Sequence, residues 1–146
     1  MLAVIQRVSQ AHVEVDGQII GQIEKGILAL LAIEKNDTKQ QAEQLIKRIL
    51  NYRIFADSDD KMNLSLIDTN SGLLLVPQFT LAADTRKGLR PSFTPAAPPT
   101  IAETLFNDAL HYAQQHHNLI ESGCFGANMN VQLCNDGPVT FILKNP

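Results

Sequence analysis

The chain has 146 residues, of which 45% are hydrophobic, and its formal net charge at pH 7 is −3. This length and composition suffice for one domain with its own core, and we expect residues 1–146 to form it. The net negative charge argues against a protein that coats nucleic acid with its whole surface, although a local basic patch remains compatible with it.

The sequence favours a soluble, cytoplasmic protein without membrane contact. It has no apolar stretch of the roughly 20 residues that a membrane-spanning helix requires. Residues 1–8 do not have the pattern of a secretory signal. We therefore expect Cys124 and Cys134 to be reduced thiols rather than a disulfide.

The first part of the chain is typical of β-structure. Residues 4–8 and 12–23 are rich in β-branched side chains, and Asp16-Gly17 is typical of a hairpin turn. Residues 26–33 form a continuous apolar run, which predicts a strand near the centre of a sheet and covered on both faces.

Two amphipathic helices are predicted next. Asp37 is placed to cap the first helix, with Gln40 three residues later, and Thr100 begins the second helix with Glu103 completing a capping box. The first helix is expected to span about 14 residues. The predicted apolar stripes are Ala42, Leu45, Ile46, Ile49 and Leu50 in the first helix, and Ala102, Leu105, Phe106, Ala109, Leu110 and Ala113 in the second.

The remaining strands complete an α+β fold with a mixed or mostly antiparallel sheet. An apolar run at 73–76 leads directly into the polar segment 77–80. Two further strands are predicted at 128–134 and 139–143, joined through Asn-Asp-Gly-Pro at 135–138. Polar groups and exposed backbone at the ends of buried strands are where chemistry is expected.

Metal and nucleophile sites are disfavoured by the residue patterns. His111, His116, His117 and Cys124 lack the spacing of a metal centre, and a polar helix end explains them equally well. The acidic loop 57–63 lacks the glycine and the closing glutamate of a calcium-binding loop. Neither a Gly-x-Ser-x-Gly elbow nor a glycine-rich phosphate loop is present.

A basic cluster follows the polar segment. Arg86, Lys87 and Arg90 place three cations within five residues, and such a group can hold phosphate oxygens on an otherwise acidic protein. The alternative is a solvated loop, and the sequence leaves both readings open.

Several segments, in matching order and at compatible spacing, resemble the D-aminoacyl-tRNA deacylase family. They are residues 5–8, 51–55, 61–63, 78–84, 90–93 and 135–140, so the resemblance covers nearly the whole chain. It implies that family's barrel-like fold and a homodimeric enzyme that hydrolyses the ester of D-aminoacyl-tRNA. It also implies aminoacyl-tRNA as the partner, and neither a metal nor another cofactor.

The resemblance assigns a chiral filter to Gly137 and Pro138. In that family this peptide bond is cis, and each subunit inserts the dipeptide into the active site of the other. Rigid backbone then excludes an L side chain, whereas D-amino acids and glycine are accepted. The arginine that supports the dipeptide corresponds to Arg7.

The same resemblance assigns the active-site segment to Gln78, Phe79 and Thr80, beside the terminal adenosine and the ester. Backbone N–H groups around Phe79 and Thr80 are expected to stabilise the oxyanion, and Thr80 to position the substrate rather than act as a nucleophile. Pro77 replaces the serine that the family usually has before the glutamine. The alternatives are a noncatalytic module that binds tRNA ends through its basic cluster, and an esterase for small aminoacyl esters.

Overall fold

The sheet is organised around its first strand in the computed structural model, which describes residues 1–145. Strand β1 (Leu2–Val15) pairs antiparallel with β2 (Gln18–Ile23) and β3 (Gly26–Ala32). It also pairs antiparallel with the last strand, β8 (Asn130–Lys144), along most of its length. The predicted hairpin is confirmed, since Asp16 and Gly17 form a two-residue turn with φ angles of 51° and 77°.

The sheet continues beyond β3 with parallel pairing. Strand β6 (Gly72–Pro77) pairs with β3, and β7 (Ile120–Ser122) pairs with β6, which gives the order β2-β1-β3-β6-β7 with β8 also on β1. The two ends of this order approach each other, because a Cβ on Gly21 of β2 would lie only 2.6 Å from the Ser122 carbonyl oxygen of β7. The mixed sheet is therefore nearly closed into a barrel, as the resemblance implied, and β3 is central and largely buried, as predicted.

Two long helices cover this sheet. Helix α1 (Lys39–Leu50) and helix α3 (Pro99–His116) pack against each other and bury most of the stripes that their spacing predicted. A short helix, α2 (Leu66–Thr69), was not predicted; it is capped by Ser65 and Asp68. A two-stranded ribbon of β4 (Phe55–Ala56) and β5 (Met62–Leu64) lies between α1 and α2 in the chain.

Both predicted helix caps were wrong. Helix α1 has 12 residues and is capped by Thr38 with Gln41, because the Asp37 carboxylate instead accepts hydrogen bonds from the Met1 amino group and the Glu34 backbone N–H. Helix α3 begins one residue before Thr100 and has no side-chain cap. Its first residue is a proline, which has no N–H that a cap would need to satisfy.

The prediction of two C-terminal strands was also wrong. Residues 130–144 form one strand, and both of its halves run antiparallel to β1. Gln6 pairs with Thr140 and Val8 with Asn135, so the four residues 136–139 lie opposite the single residue Arg7. We call residues 136–139 the β8 bulge. Gly137-Pro138 within it interrupts the ladder of hydrogen bonds but does not reverse the direction of the chain.

Among residues 1–145, no helix has both the length and the apolar character needed to cross a membrane.

Candidate active site

The segment Gln78-Phe79-Thr80 lies where a buried strand ends at the surface. The β3–β6 ladder extends to the pair Leu31–Pro77, and the Gln78 N–H then donates to the Leu31 carbonyl at 2.8 Å. Pro77 therefore fits at the end of the strand, and the pairing continues past it. The chain next turns into a 3₁₀ helix, Phe79–Ala82, with Phe79 and Thr80 exposed.

This turn presents backbone donors. The Phe79 and Thr80 N–H groups open the 3₁₀ helix, where no carbonyl of the same helix precedes them, and neither has an acceptor within residues 1–145. The Gln78 side-chain amide donates to the Thr80 hydroxyl oxygen. No carboxylate or imidazole within the described chain is hydrogen-bonded to that hydroxyl.

An open cleft of about 470 Å³ adjoins this segment. One wall is the end of β6 with the residues that follow it, a second is the approach to α3, and a third is the loop between β7 and β8. The lining residues are Val76, Pro77, Gln78, Phe79, Ala97, Pro99, Ala102, Phe125, Gly126, Ala127, Asn128, Met129 and Val131. Most of them are apolar, so the cleft is suited to a flat or apolar group.

The third wall is held by a sulfur contact. The Met129 sulfur accepts a hydrogen bond from the Cys124 backbone N–H at 3.4 Å, and a Cβ on Gly123 would lie 2.8 Å from that sulfur. The loop thus packs closely around the Met129 side chain. Cys124 and Cys134 are free, exposed thiols.

Phe79 forms an exposed aromatic pair with Phe93. Their ring centroids are 5.0 Å apart and the rings are tilted by 51°. The exposed fractions, 57% for Phe79 and 41% for Phe93, are high for phenylalanine. Phe79 lines the cleft, whereas Phe93 does not.

The basic cluster lies on a closed loop beside this pair. Two backbone hydrogen bonds join Asp84 and Ser92, at 2.8 and 3.0 Å, and we call the enclosed residues 85–91 the basic strap. The Arg86 guanidinium binds Asp84 through two hydrogen bonds of 2.9 and 2.7 Å. These bonds hold the pKa of the Asp84 carboxyl well below its usual range.

The remaining two cations of the strap differ from Arg86. Lys87 and Arg90 are exposed and form no ion pair within residues 1–145. They are therefore free to bind an anion, whereas the charge of Arg86 is largely compensated by Asp84.

Gly137 and Pro138 lie on the exposed β8 bulge, and their peptide bond is cis. Arg7 ties the bulge to another part of the chain. Its Nε donates to the Asp136 carbonyl of the bulge at 3.1 Å, and its Nη1 donates to the Ile54 carbonyl at 3.0 Å. Gly137 has a φ of 135°, and a Cβ there would lie 2.7 Å from Val139 Cγ2 and 3.2 Å from Arg7 Nη2. Only glycine suits this position.

The predicted site residues therefore form three groups. Gln78, Phe79 and Thr80 lie together at the cleft, and Arg86, Lys87 and Arg90 lie on the basic strap. Arg7 lies with Gly137 and Pro138, and it lines a separate recess of about 450 Å³. Neither Gly137 nor Pro138 lines the cleft of its own chain.

Two of the histidines and one of the acidic residues that the sequence raised as metal candidates have structural roles. His117 is buried and donates to the Ser71 carbonyl at 2.6 Å, and the His116 ring stacks on Tyr112. Asp57 accepts hydrogen bonds from within its own loop, and the one from the Asn63 side chain does most to lower its pKa. Residues 1–145 contain no group of three or more metal-ligating side chains placed to hold an ion.

Three residues of the site were not predicted from the sequence: Phe125 and Met129, which line the cleft, and Phe93, which packs against Phe79. Phe125 and Met129 come from a loop that is remote in sequence, and no spacing rule connects them to the active-site segment. Phe93 was within a matching segment, and its position directly after a basic cluster was the available signal.

Comparisons with known proteins agree on one family. The family model for D-Tyr-tRNA(Tyr) deacylase matches residues 4–144. The D-aminoacyl-tRNA deacylase of Thioalkalivibrio sulfidiphilus (strain HL-EbGR7) is 57% identical over 146 residues, which cover 100% of this chain and 98% of that protein. That of Legionella pneumophila (strain Lens) is 56% identical over 144 residues, 99% of each chain.

Two solved structures share the fold. A c-Myc DNA Unwinding Element Binding Protein has a TM-score of 0.95 and 41% identity, covering 100% of this chain and 99% of that one. A probable eukaryotic D-amino acid tRNA deacylase has a TM-score of 0.82 and 16% identity over 97% of each chain, a likeness of fold alone. The family match and the curated relatives confirm the resemblance, and the chain belongs to the D-aminoacyl-tRNA deacylase family.

Proposed function

We propose that this protein hydrolyses the ester bond that links a D-amino acid to the terminal ribose of tRNA, in the cytoplasm. Family membership supports the reaction class. The observation that supports assigning the reaction to particular residues is the pair of free backbone N–H groups on Phe79 and Thr80, which lie beside an apolar cleft. The cleft volume of about 470 Å³ is within the range of small-molecule sites.

The cleft is suited to the terminal adenosine. Its walls around Phe79, Phe125 and Met129 offer apolar and aromatic surface to a purine. An adenosine held there brings its ribose, and the ester on that ribose, toward the segment at the end of β6.

The reaction needs little covalent chemistry from the protein. A water oxygen bonds to the ester carbonyl carbon, and the carbonyl oxygen gains negative charge that the N–H groups of Phe79 and Thr80 stabilise. The bond from that carbon to the ribose oxygen then breaks, and the ribose oxygen takes the proton that the water loses. Because an aminoacyl ester is already reactive, orienting it and the water supplies much of the acceleration.

Thr80 is a positioning group in this scheme. Its hydroxyl is hydrogen-bonded to the Gln78 amide, which is not a base, so nothing activates it as a nucleophile. We expect Thr80→Val to lower kcat/KM for D-tyrosyl-tRNA by less than about tenfold, the scale of one lost neutral hydrogen bond. Complete loss of hydrolysis, with a normal circular dichroism spectrum and normal tRNA binding, would instead make Thr80 the nucleophile.

The chiral filter belongs to the partner subunit in our proposal. Gly137 and Pro138 are exposed and lie outside the cleft of their own chain, which supports their presentation to it by a second copy. The protein is then a homodimer with an active site at each end of its interface. Backbone held by Arg7 occupies the space that an L side chain needs, while D-amino acids and glycine fit.

The decisive experiment compares D-tyrosyl-tRNA, L-tyrosyl-tRNA and glycyl-tRNA as substrates for the purified protein. We expect release of D-tyrosine and glycine and no release of L-tyrosine. Tight binding of both tyrosyl-tRNAs without release of amino acid would identify a noncatalytic module. Equal rates with D-tyrosyl-adenosine and D-tyrosyl-tRNA would identify an esterase for small aminoacyl esters.

A further inference from the structure

We propose that Phe93 stacks on the base of the nucleotide before the terminal adenosine, while Lys87 and Arg90 bind the phosphates of the same strand. The inference rests on the proposed function, since it extends the substrate from the cleft across the neighbouring surface. The ligand is thus the single-stranded 3′ end of RNA rather than one nucleoside.

The first support is the exposure of the aromatic pair. Phe79 and Phe93 pack as a tilted pair, at 5.0 Å between centroids and 51° between ring planes. This contact orients Phe93 but leaves 41% of it exposed. An exposed ring that packing already holds in place is a stacking surface for a base, because little side-chain entropy remains to be lost.

The second support is continuity with the cleft. Phe79 lines the cleft and also contacts Phe93, so it is the wall that separates the adenosine site from the Phe93 surface. In this proposal, a strand whose last nucleoside fills the cleft leaves it past this wall. The neighbouring base is then within reach of Phe93.

The third support is the local charge. The protein as a whole has a net charge of −3, yet Lys87 and Arg90 project from the basic strap without an ion-pair partner within residues 1–145. Arg86 is held by Asp84, and the two backbone bonds between Asp84 and Ser92 close the strap. Two free cations on a fixed loop beside an aromatic surface match the alternation of phosphate and base along a single strand.

Binding of two ligands that carry no aminoacyl group tests the aromatic contact. One is the dinucleotide cytidylyl-adenosine, and the other is the same compound with an abasic ribose in place of the cytidine. We expect the wild type to bind the first about tenfold more tightly, as one stacked base implies. Phe93→Ala should abolish this preference, and Phe93→Trp should retain it. Ile19→Ala, which removes another exposed apolar side chain, from β2, is the control.

The basic strap is tested with the same ligands and with tRNA. Replacing Lys87 and Arg90 together with Gln should weaken binding of tRNA and lower the slope of log affinity against log salt by about 1.4, or about 0.7 for each phosphate contact. Lys47→Gln, on the exposed face of α1, is the matched control and should leave the slope unchanged.

These outcomes separate this inference from the proposed function. Equal wild-type affinity for the two dinucleotide ligands, or a preference that survives in a folded Phe93→Ala variant, would overturn the stacking role. An unchanged salt slope would overturn the role of the cations. The dinucleotide ligands and uncharged tRNA carry no amino acid, so the stacking test and the salt-slope test can be made whether or not the protein releases D-tyrosine. Only the measurement of D-tyrosine release tests the proposed function.

Discussion

At the scale of the residue, Arg7 joins parts of the chain that are far apart in sequence. It donates to the Asp136 carbonyl of the β8 bulge and to the Ile54 carbonyl before β4, and only 17% of its side chain is exposed. Two carbonyls in different directions require the planar fork of a guanidinium, because a lysine ammonium is a single point of charge. Arg7 therefore fixes the bulge relative to the rest of the chain.

We expect Arg7→Lys to impair both selectivity and stability. The ratio of D-tyrosyl-tRNA to L-tyrosyl-tRNA hydrolysis should fall about tenfold or more, because a bulge that has lost one of its anchors excludes the L side chain less strictly. The free energy of unfolding, from urea titration, should fall by about 1.5 to 3 kcal/mol for one lost charged hydrogen bond. Arg53→Lys, at an exposed arginine, is the control; an unchanged ratio in Arg7→Lys would remove Arg7 from the filter.

The Asp84 carboxylate gives a prediction for pH. Hydrogen bonds from Arg86 lower its pKa in the folded protein, so the stability that this pair contributes is complete above the unfolded value of about 3.9. It is lost as the pH falls through the lower folded value. Titration of the Asp84 carboxyl by NMR should give a midpoint below about 3.9 in the wild type, and Arg86→Ala should raise that midpoint. Identical midpoints would mean that the basic strap is not held by this pair.

At the scale of the element, the two long helices differ in how they begin. Thr38 caps α1 through a reciprocal pair with Gln41, whereas α3 starts with proline and Thr100 caps nothing. We expect Thr38→Ala to lower the free energy of unfolding by about 1 kcal/mol. Thr100→Ala should change it by less than about 0.5 kcal/mol, as an ordinary surface substitution does. Equal effects in thermal and urea unfolding would contradict this assignment of the caps.

These elements also show what the sequence could predict. Periodicity located both long helices, and Asp16-Gly17 located the hairpin, because both signals are local. The cap of α1 was misassigned because Asp37 is occupied by Met1 and Glu34, and that competition is tertiary. The single strand β8 read as two strands because Gly-Pro is typical of a turn, and its pairing with β1 is visible only in three dimensions.

At the scale of the whole molecule, the proposed dimer places each complete site between two chains. The active-site segment comes from one chain and the bulge from the other, so a defect in each can be complemented in a mixed dimer. We expect Gln78→Ala to lower D-tyrosyl-tRNA hydrolysis at least about tenfold, as a lost substrate contact of about 1.4 kcal/mol does. Gly137→Ala should have an effect of similar size for a different reason, because a Cβ only 2.7 Å from Val139 Cγ2 distorts the bulge beside the substrate.

Mixing the two variants after denaturation should restore about a quarter of the wild-type rate, because half of the dimers are mixed and each holds one intact site. Mixtures of each variant with itself are the controls, and native mass spectrometry counts the mixed dimers. Mixed dimers that stay inactive would place both segments in the same chain.

The sequence predicted which segments contribute to the candidate site, but not how these segments are arranged around the cleft. The motifs named Arg7, the segment Gln78–Thr80 and the bulge, but they do not show that the bulge lies outside the cleft of its own chain. The walls contributed by Phe125 and Met129 depend on how the loop after β7 folds against β6. Such contacts arise from tertiary packing, which carries no periodic signal.

The pairing of β1 with β8 has a consequence for how the protein is made. β1 leaves the ribosome early, yet its partner strand follows only after the rest of the sheet, with 129 positions between Arg7 and the Asp136 carbonyl that it binds. One edge of β1 therefore stays open throughout translation, and an open edge invites pairing with other nascent chains. Native assembly of the bulge, and with it any discrimination between mirror-image substrates, must follow the synthesis of β8.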